Sequence, residues 1–145
     1  MTAYLLDVNV LIALAWPNHV HHGPATSWFR QEGRNRFATC AITESGFIRI
    51  SMNPAVVGEA ASFQQARSFL TEFCHSPNHV FWPLEESAGQ AMADLHISGH
   101  RQVIDAYLLT VARRNTGRLA TFDTSIAHIL PAGSPLADHL LTIPF

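Results

Sequence analysis

Four acids in this chain stand where an acid should be costly. Asp7 lies in LLDVNVLI, Glu44 in AITESGFI, Asp105 in VIDAYLL and Asp123 in LATFDTSI, each among apolar or small residues. An ionised carboxylate taken out of water is strongly destabilised unless a partner compensates it. The chain contains no lysine, and no arginine is an immediate neighbour of Asp7, Asp105 or Asp123. A hard divalent cation with oxygen ligands, Mg²⁺ or Mn²⁺, is the natural compensator. Such an ion activates water and neutralises a phosphodiester during in-line displacement. A plainer reading exists for each acid alone. Asp7 and Asp123 suit helix N-caps, and Glu44 suits the first turn of a helix, where the dipole favours negative charge. Four such acids in one small chain weigh against four separate accidents.

The surrounding pattern supplies elements that could bring them together. AYLLDVN reads as a short buried strand, followed by a helix through VLIALAW that Pro17 stops. GPATSWFRQEG reads as a second helix, RFATC as a strand, and ITESGFIRISM as a helix ended by Asn53-Pro54. SFQQARSFLTEFCHS has helical amphipathic spacing, with Phe63, Ala66, Leu70 and Phe73 on one face. HVFWPL is a strand, EESAGQAMADLHI and VIDAYLLTVARRN are helices, GRLATFD is a strand, and LLTIPF suits a last edge strand. This alternation predicts an α/β fold with a mainly parallel central sheet flanked by helices in three layers, over a single domain spanning 1–145. Asp7 and Asp123 both fall at the carboxyl end of a strand, where open α/β sheets carry their ligand crevice. If those strands are neighbours, about 4.8 Å apart, both carboxylates reach one cation. Asp105 and Glu44, each near a helix start, could face the same crevice.

Composition narrows the function further. With 48% hydrophobic and 14% charged residues the chain is a packed globular protein and not a disordered one. A net charge of −2 leaves no global basic footprint for duplex DNA. The missing lysine removes P-loop hydrolysis and Schiff-base chemistry. No apolar run reaches the length of a membrane span, and the N-terminus lacks the basic segment of a signal peptide. Cys40 and Cys74 suit a reducing cytoplasm and read as ordinary core thiols.

In order and spacing, LLDVNVLIAL, ITESGFIRI, HRQVIDAYLLTVARR and RLATFD resemble the motifs of PIN-domain ribonucleases, and more narrowly the VapC toxins of bacterial toxin–antitoxin pairs. The resemblance runs from Tyr4 to about Ile129. It implies a PIN fold and a Mg²⁺- or Mn²⁺-dependent endoribonuclease, cutting RNA to leave a 3′-hydroxyl and a 5′-phosphate. It also implies a cognate antitoxin and a homodimer. Carried over by position, Asp7, Glu44, Asp105 and Asp123 are the catalytic acids. Asp7, Asp105 and Asp123 would be the metal ligands, with Glu44 serving a bound water or a second ion. Asn9 and Thr121 match positions that support the site. The chain departs from the pattern after Asp123, where it reads TSI in place of a basic residue or glycine.

Other residues are less specific. NHVHHG reads as a solvated loop. His96 and His100 have zinc-ligand spacing, but Gly99 argues against a continuous helix between them. His100 and Arg101, just before Asp105, could contact substrate. Arg113, Arg114 and Arg118 suit the C-terminal end of a helix or an RNA or antitoxin contact. Trp16, Trp28 and Trp82 have the apolar neighbours of core residues. Two rival functions remain at this level: a catalytically silent PIN-like module that binds RNA or a partner, and a phosphatase built on a strand-end Asp.

Overall fold

The computed structural model describes Met1–Phe145 throughout. Five strands form one sheet: β1 (Tyr4–Leu6), β2 (Phe37–Thr39), β3 (His79–Phe81), β4 (Arg118–Thr121) and β5 (Leu140–Thr142). Their order is β3-β2-β1-β4-β5, and every pairing is parallel. The central strand β1 is buried on both faces, as its unbroken YLL run requires in a parallel sheet.

Seven helices cover the sheet: α1 (Val8–Ala15), α2 (His22–Gln31), α3 (Ala41–Ser51), α4 (Pro54–Val57), α5 (Phe63–Phe73), α6 (Ala88–Ala91) and α7 (Val103–Arg114). Two cores separate the layers. Tyr4, Leu6 and Phe37 pack against α1, α2, α3 and α5, while Leu5, Ala38 and Leu119 pack against α7. Alternation along each strand therefore assigns successive side chains to opposite layers. Leu5 and Leu6, adjacent and both fully buried, belong to different cores. Truncating either to alanine costs about 2–5 kcal/mol.

Local chemistry sets the helix ends. Asp7 caps α1, and Asn53 with Pro54 starts α4. Ser62 and Gln65 form a reciprocal capping box at the start of α5. Three sequence expectations need correction. The helix expected through EESAGQAMADLHI shrinks to α6, because that segment holds Gly89 and buries only Ala91. Phe63 leaves the buried face of α5, being 48% exposed at the first helical position. The helix that Asp123 is expected to cap is a 3₁₀ segment, Thr124–Ile129. The three tryptophans do pack as expected: Trp28 and Trp82 are buried, and Trp16 stacks on Phe47 while donating to Ser51 Oγ at 2.9 Å.

Candidate active site

The adjacent strands β1 and β4 pair in register, with Leu6 opposite Ala120. Asp7 and Thr121 are each one residue further along, so their side chains leave the sheet together on the α7 side. Thr121 Oγ1 donates to Asp7 Oδ2 at 2.7 Å, and the Val8 amide donates to Oδ1 at 2.8 Å. Asn9 stitches the two strand ends: its amide donates to Thr121 Oγ1 at 3.1 Å, and its carbonyl accepts from the Phe122 amide at 3.2 Å. Thr121 Oγ1 also accepts from the Asp123 amide at 3.0 Å. One hydroxyl thus fixes Asp7 and the chain path into Asp123. Asp123 in turn spends Oδ1 on the Ser125 amide and hydroxyl, at 2.9 and 2.6 Å. Asp7 and Asp123 are therefore helix caps and cavity-lining acids at once.

Asp105 arrives from the first turn of α7. Its carboxylate accepts no hydrogen bond from the protein, and it lines a cavity of about 280 Å³ with Asp7, Asp123, Asn9 and His19. Ile12, Ile50 and Val56 form the apolar wall. A larger groove of about 590 Å³, lined by Trp16, Val57, Gln64 and Phe69, contains a single acid, Glu59.

The electrostatics of the cavity are unbalanced. Asp7 is 6% exposed, and burial raises its pKa, reinforced by the charge of Asp123; the bonds from Thr121 and Val8 pull the other way. Burial, with the charges of Asp7 and Asp123, pushes Asp105 up to about 6. No arginine lines the cavity. Arg113 and Arg114 are committed to Asp94, Glu85 and Glu86 on the surface.

Glu44 does not join these acids, which corrects the expectation that it faces the same crevice. The phase of α3 is the reason. A Cβ on Gly46 would stand 2.7 Å from Val8 Cγ2, so the Gly46 side of α3 presses on the start of α1, beside Asp7. Glu44 lies two residues back, about 200° around the helix, and points elsewhere. It accepts from Thr39 Oγ1 at 2.6 Å, beside Cys74 and His79. Thr39 follows Ala38, whose partner is Leu5, so its side chain shares the layer of Leu6 and not that of Asp7.

His100 and Arg101 are exposed on the turn His100–Gln102 that leads into α7 and do not line the cavity. His19 does line it, although NHVHHG reads as a solvated loop. Burial, with His21 and His22 nearby, lowers its pKa and keeps the ring neutral. The only sequence signal for it was a histidine one helix length after Asp7.

Known proteins share this chain's fold and family. The PIN domain family model matches residues 4–129. The chain is 46% identical to Ribonuclease VapC39 of Mycobacterium tuberculosis over 138 residues, covering 92% of this chain and 96% of that protein. It is 41% identical to Ribonuclease VapC38 of the same organism, covering 96% and 98%. The crystal structure of Mycobacterium tuberculosis VapC20, titled a sarcin–ricin loop cleaving toxin, superposes with a TM-score of 0.62 at 14% identity, over 90% of this chain and 95% of that one. At that identity the likeness concerns the fold. With a parallel five-stranded sheet, acids gathered at its carboxyl edge and a family match over most of its length, this chain belongs to the PIN-domain family, among the VapC ribonucleases.

Proposed function

We propose that the chain is a divalent-metal-dependent endoribonuclease, hydrolysing RNA phosphodiester bonds as the toxin of a toxin–antitoxin pair. The observation that carries this reading is the meeting of Asp7, Asp105 and Asp123 at one cavity with no protein cation beside them. The donors fit Mg²⁺ or Mn²⁺. They are all carboxylate oxygens, and burial, reinforced by the neighbouring carboxylates, raises the pKa of Asp7 and Asp105. When bound, such an ion lowers the pKa of water and neutralises charge on the scissile phosphate.

The protein's own contributions follow from the hydrogen bonds. Asp7 is held at both oxygens, so its orientation is fixed before any ligand arrives. Asp123 is held at one oxygen, leaving the other for the cavity. Asp105 is unrestrained by hydrogen bonds and half-buried, so it adjusts to the ion and substrate. Thr121 and Asn9 are positioning residues, keeping the ends of β1 and β4 at a constant spacing. Ile12 and Ile50 give the cavity an apolar wall on one side. His19, neutral at the cavity wall, can hydrogen-bond a phosphate oxygen through its ring N–H. His100 and Arg101 would meet RNA beyond the cavity.

No helix is long and apolar enough to cross a membrane. The reading includes cytoplasmic action, a cognate antitoxin and a homodimer. The test is incubation of the purified protein with structured RNAs in Mg²⁺, in EDTA, and as Asp105→Asn. Metal-dependent cleavage lost in both controls is expected. Cleavage that survives both overturns the reading, and metal binding without any cleavage favours the silent PIN-like module.

A further inference from the structure

We propose that Glu44, Cys74 and His79 form a second metal site, for a borderline divalent ion of the Zn²⁺ class, separate from the aspartate cavity. The three side chains come from the first turn of α3, the residue that caps the C-terminus of α5, and the first residue of β3. One donor atom from each lies within 4.8 Å of the other two, and all three residues are half-buried. Tetrahedral coordination at 2.0–2.3 Å separates ligands by about 3.3–3.8 Å, a contraction within reach of small side-chain rotations.

The donors are already aimed. Thr39 Oγ1, fully buried at the end of β2, donates to Glu44 Oε2 at 2.6 Å; it lies 2.7 Å from His79 Nε2 and 3.9 Å from Cys74 Sγ. Its one proton goes to Glu44, so it accepts from His79 Nε2–H and leaves Nδ1 as the ligand nitrogen; outer-shell hydrogen bonds orient metal ligands in this way. No arginine pairs with Glu44, so nothing in the protein competes for its charge.

Chemistry assigns the ion. Sulfur and imidazole nitrogen select Zn²⁺-class metals over Mg²⁺, whereas the aspartate cavity offers only oxygen. Burial lowers the pKa of His79, keeping the ring neutral as a ligand must be. Burial raises the Cys74 thiol, so the metal-free site holds S–H. Binding releases that proton to solvent and leaves one thiolate and one carboxylate against a 2+ ion. Three protein ligands leave a coordination position to water. A bound ion would tie the edge strand β3 and the end of α5 to α3.

The experiment titrates metal-free, full-length protein with Co²⁺ alone and records its absorption. Near one equivalent, a sulfur-to-cobalt charge-transfer band and visible bands of tetrahedral intensity are expected, displaced by Zn²⁺ and retained in Asp105→Asn. A second readout needs no variant. Cys40 is fully buried, so alkylation in the native state reports Cys74. Zn²⁺ should slow it about tenfold or more, and Mg²⁺ should not. Absence of both the band and the protection overturns the proposal. Protection undiminished in Glu44→Gln/His79→Gln, or lost in Asp105→Asn, overturns it as well.

Discussion

Two threonines end two strands of the same sheet, and each donates its hydroxyl proton to a carboxylate. Thr121 serves Asp7 at 2.7 Å and Thr39 serves Glu44 at 2.6 Å. The surroundings differ in kind. Around Thr121 the other ionisable groups are more aspartates, and their charges add to one another. Around Thr39 they are an imidazole and a thiol, both neutral, and the single carboxylate has no like-charged neighbour. The same strand-end device therefore yields a strained oxygen site on one layer and a relaxed mixed-donor site on the other. The strained one is the candidate for catalysis, because its unbalanced charge is what a hard cation relieves.

The largest effect should separate the two sites outright. Asp105→Asn removes several kcal/mol of transition-state stabilisation and should lower RNA cleavage roughly a thousandfold. Cys74→Ala, on the other layer, should leave the cleavage rate within about twofold. Equal losses in a single-turnover assay would mean that the sites are one.

Thr121 sharpens the contrast. Thr121→Val strips the hydroxyl from buried Asp7, which should cost about 1–3 kcal/mol of stability in denaturant titrations. Cleavage should fall about 10–100-fold, the usual penalty for losing such a supporting contact. Thr121→Ser, which keeps the hydroxyl, should recover most of both. Thr39→Val should cost less stability, since half-buried Glu44 can turn to water, and should spare cleavage.

The smallest effect is one of pH. The Asp105 carboxyl is raised from 3.8 to about 6 in the folded, metal-free protein. Between those values the native state holds a proton that the unfolded chain has released. Metal-free stability should therefore fall as pH rises from about 4 to about 6. Thermal unfolding should show that decline in the metal-free protein, its reversal by Mg²⁺, and a flatter profile in Asp105→Asn. A stability that climbs across that window would contradict the charge imbalance.

Much of this was legible in the sequence. The strand runs, the Pro17 stop and the Asn53-Pro54 break mark elements whose boundaries the structure reproduces closely. Asp7, Asp105 and Asp123 were visible because each interrupts apolar sequence, and strand-end position gave two of them a common edge. Glu44 interrupts apolar sequence in the same way, yet it belongs to the other layer. That difference is a matter of helix phase: only contact between Gly46 and Val8 says which side of α3 faces the aspartates. The Glu44–Cys74–His79 grouping was hidden for a similar reason. Its members are spread over 36 residues, and what unites them is the lateral pairing of β2 with β3. The shortness of α6 is not legible because alanine and glutamine favour helix locally, while Met92, Leu95 and Ile97 reach the α7 core from irregular chain beyond Ala91.

The account rests on one ion shared by three aspartates, and diffraction from crystals soaked in Mn²⁺ tests it most directly. The expected result is an anomalous peak about 2.0–2.3 Å from carboxylate oxygens of Asp7, Asp105 and Asp123, absent in Asp105→Asn crystals. A Mn²⁺ peak confined to Glu44, Cys74 and His79, with none in the aspartate cavity, would contradict it.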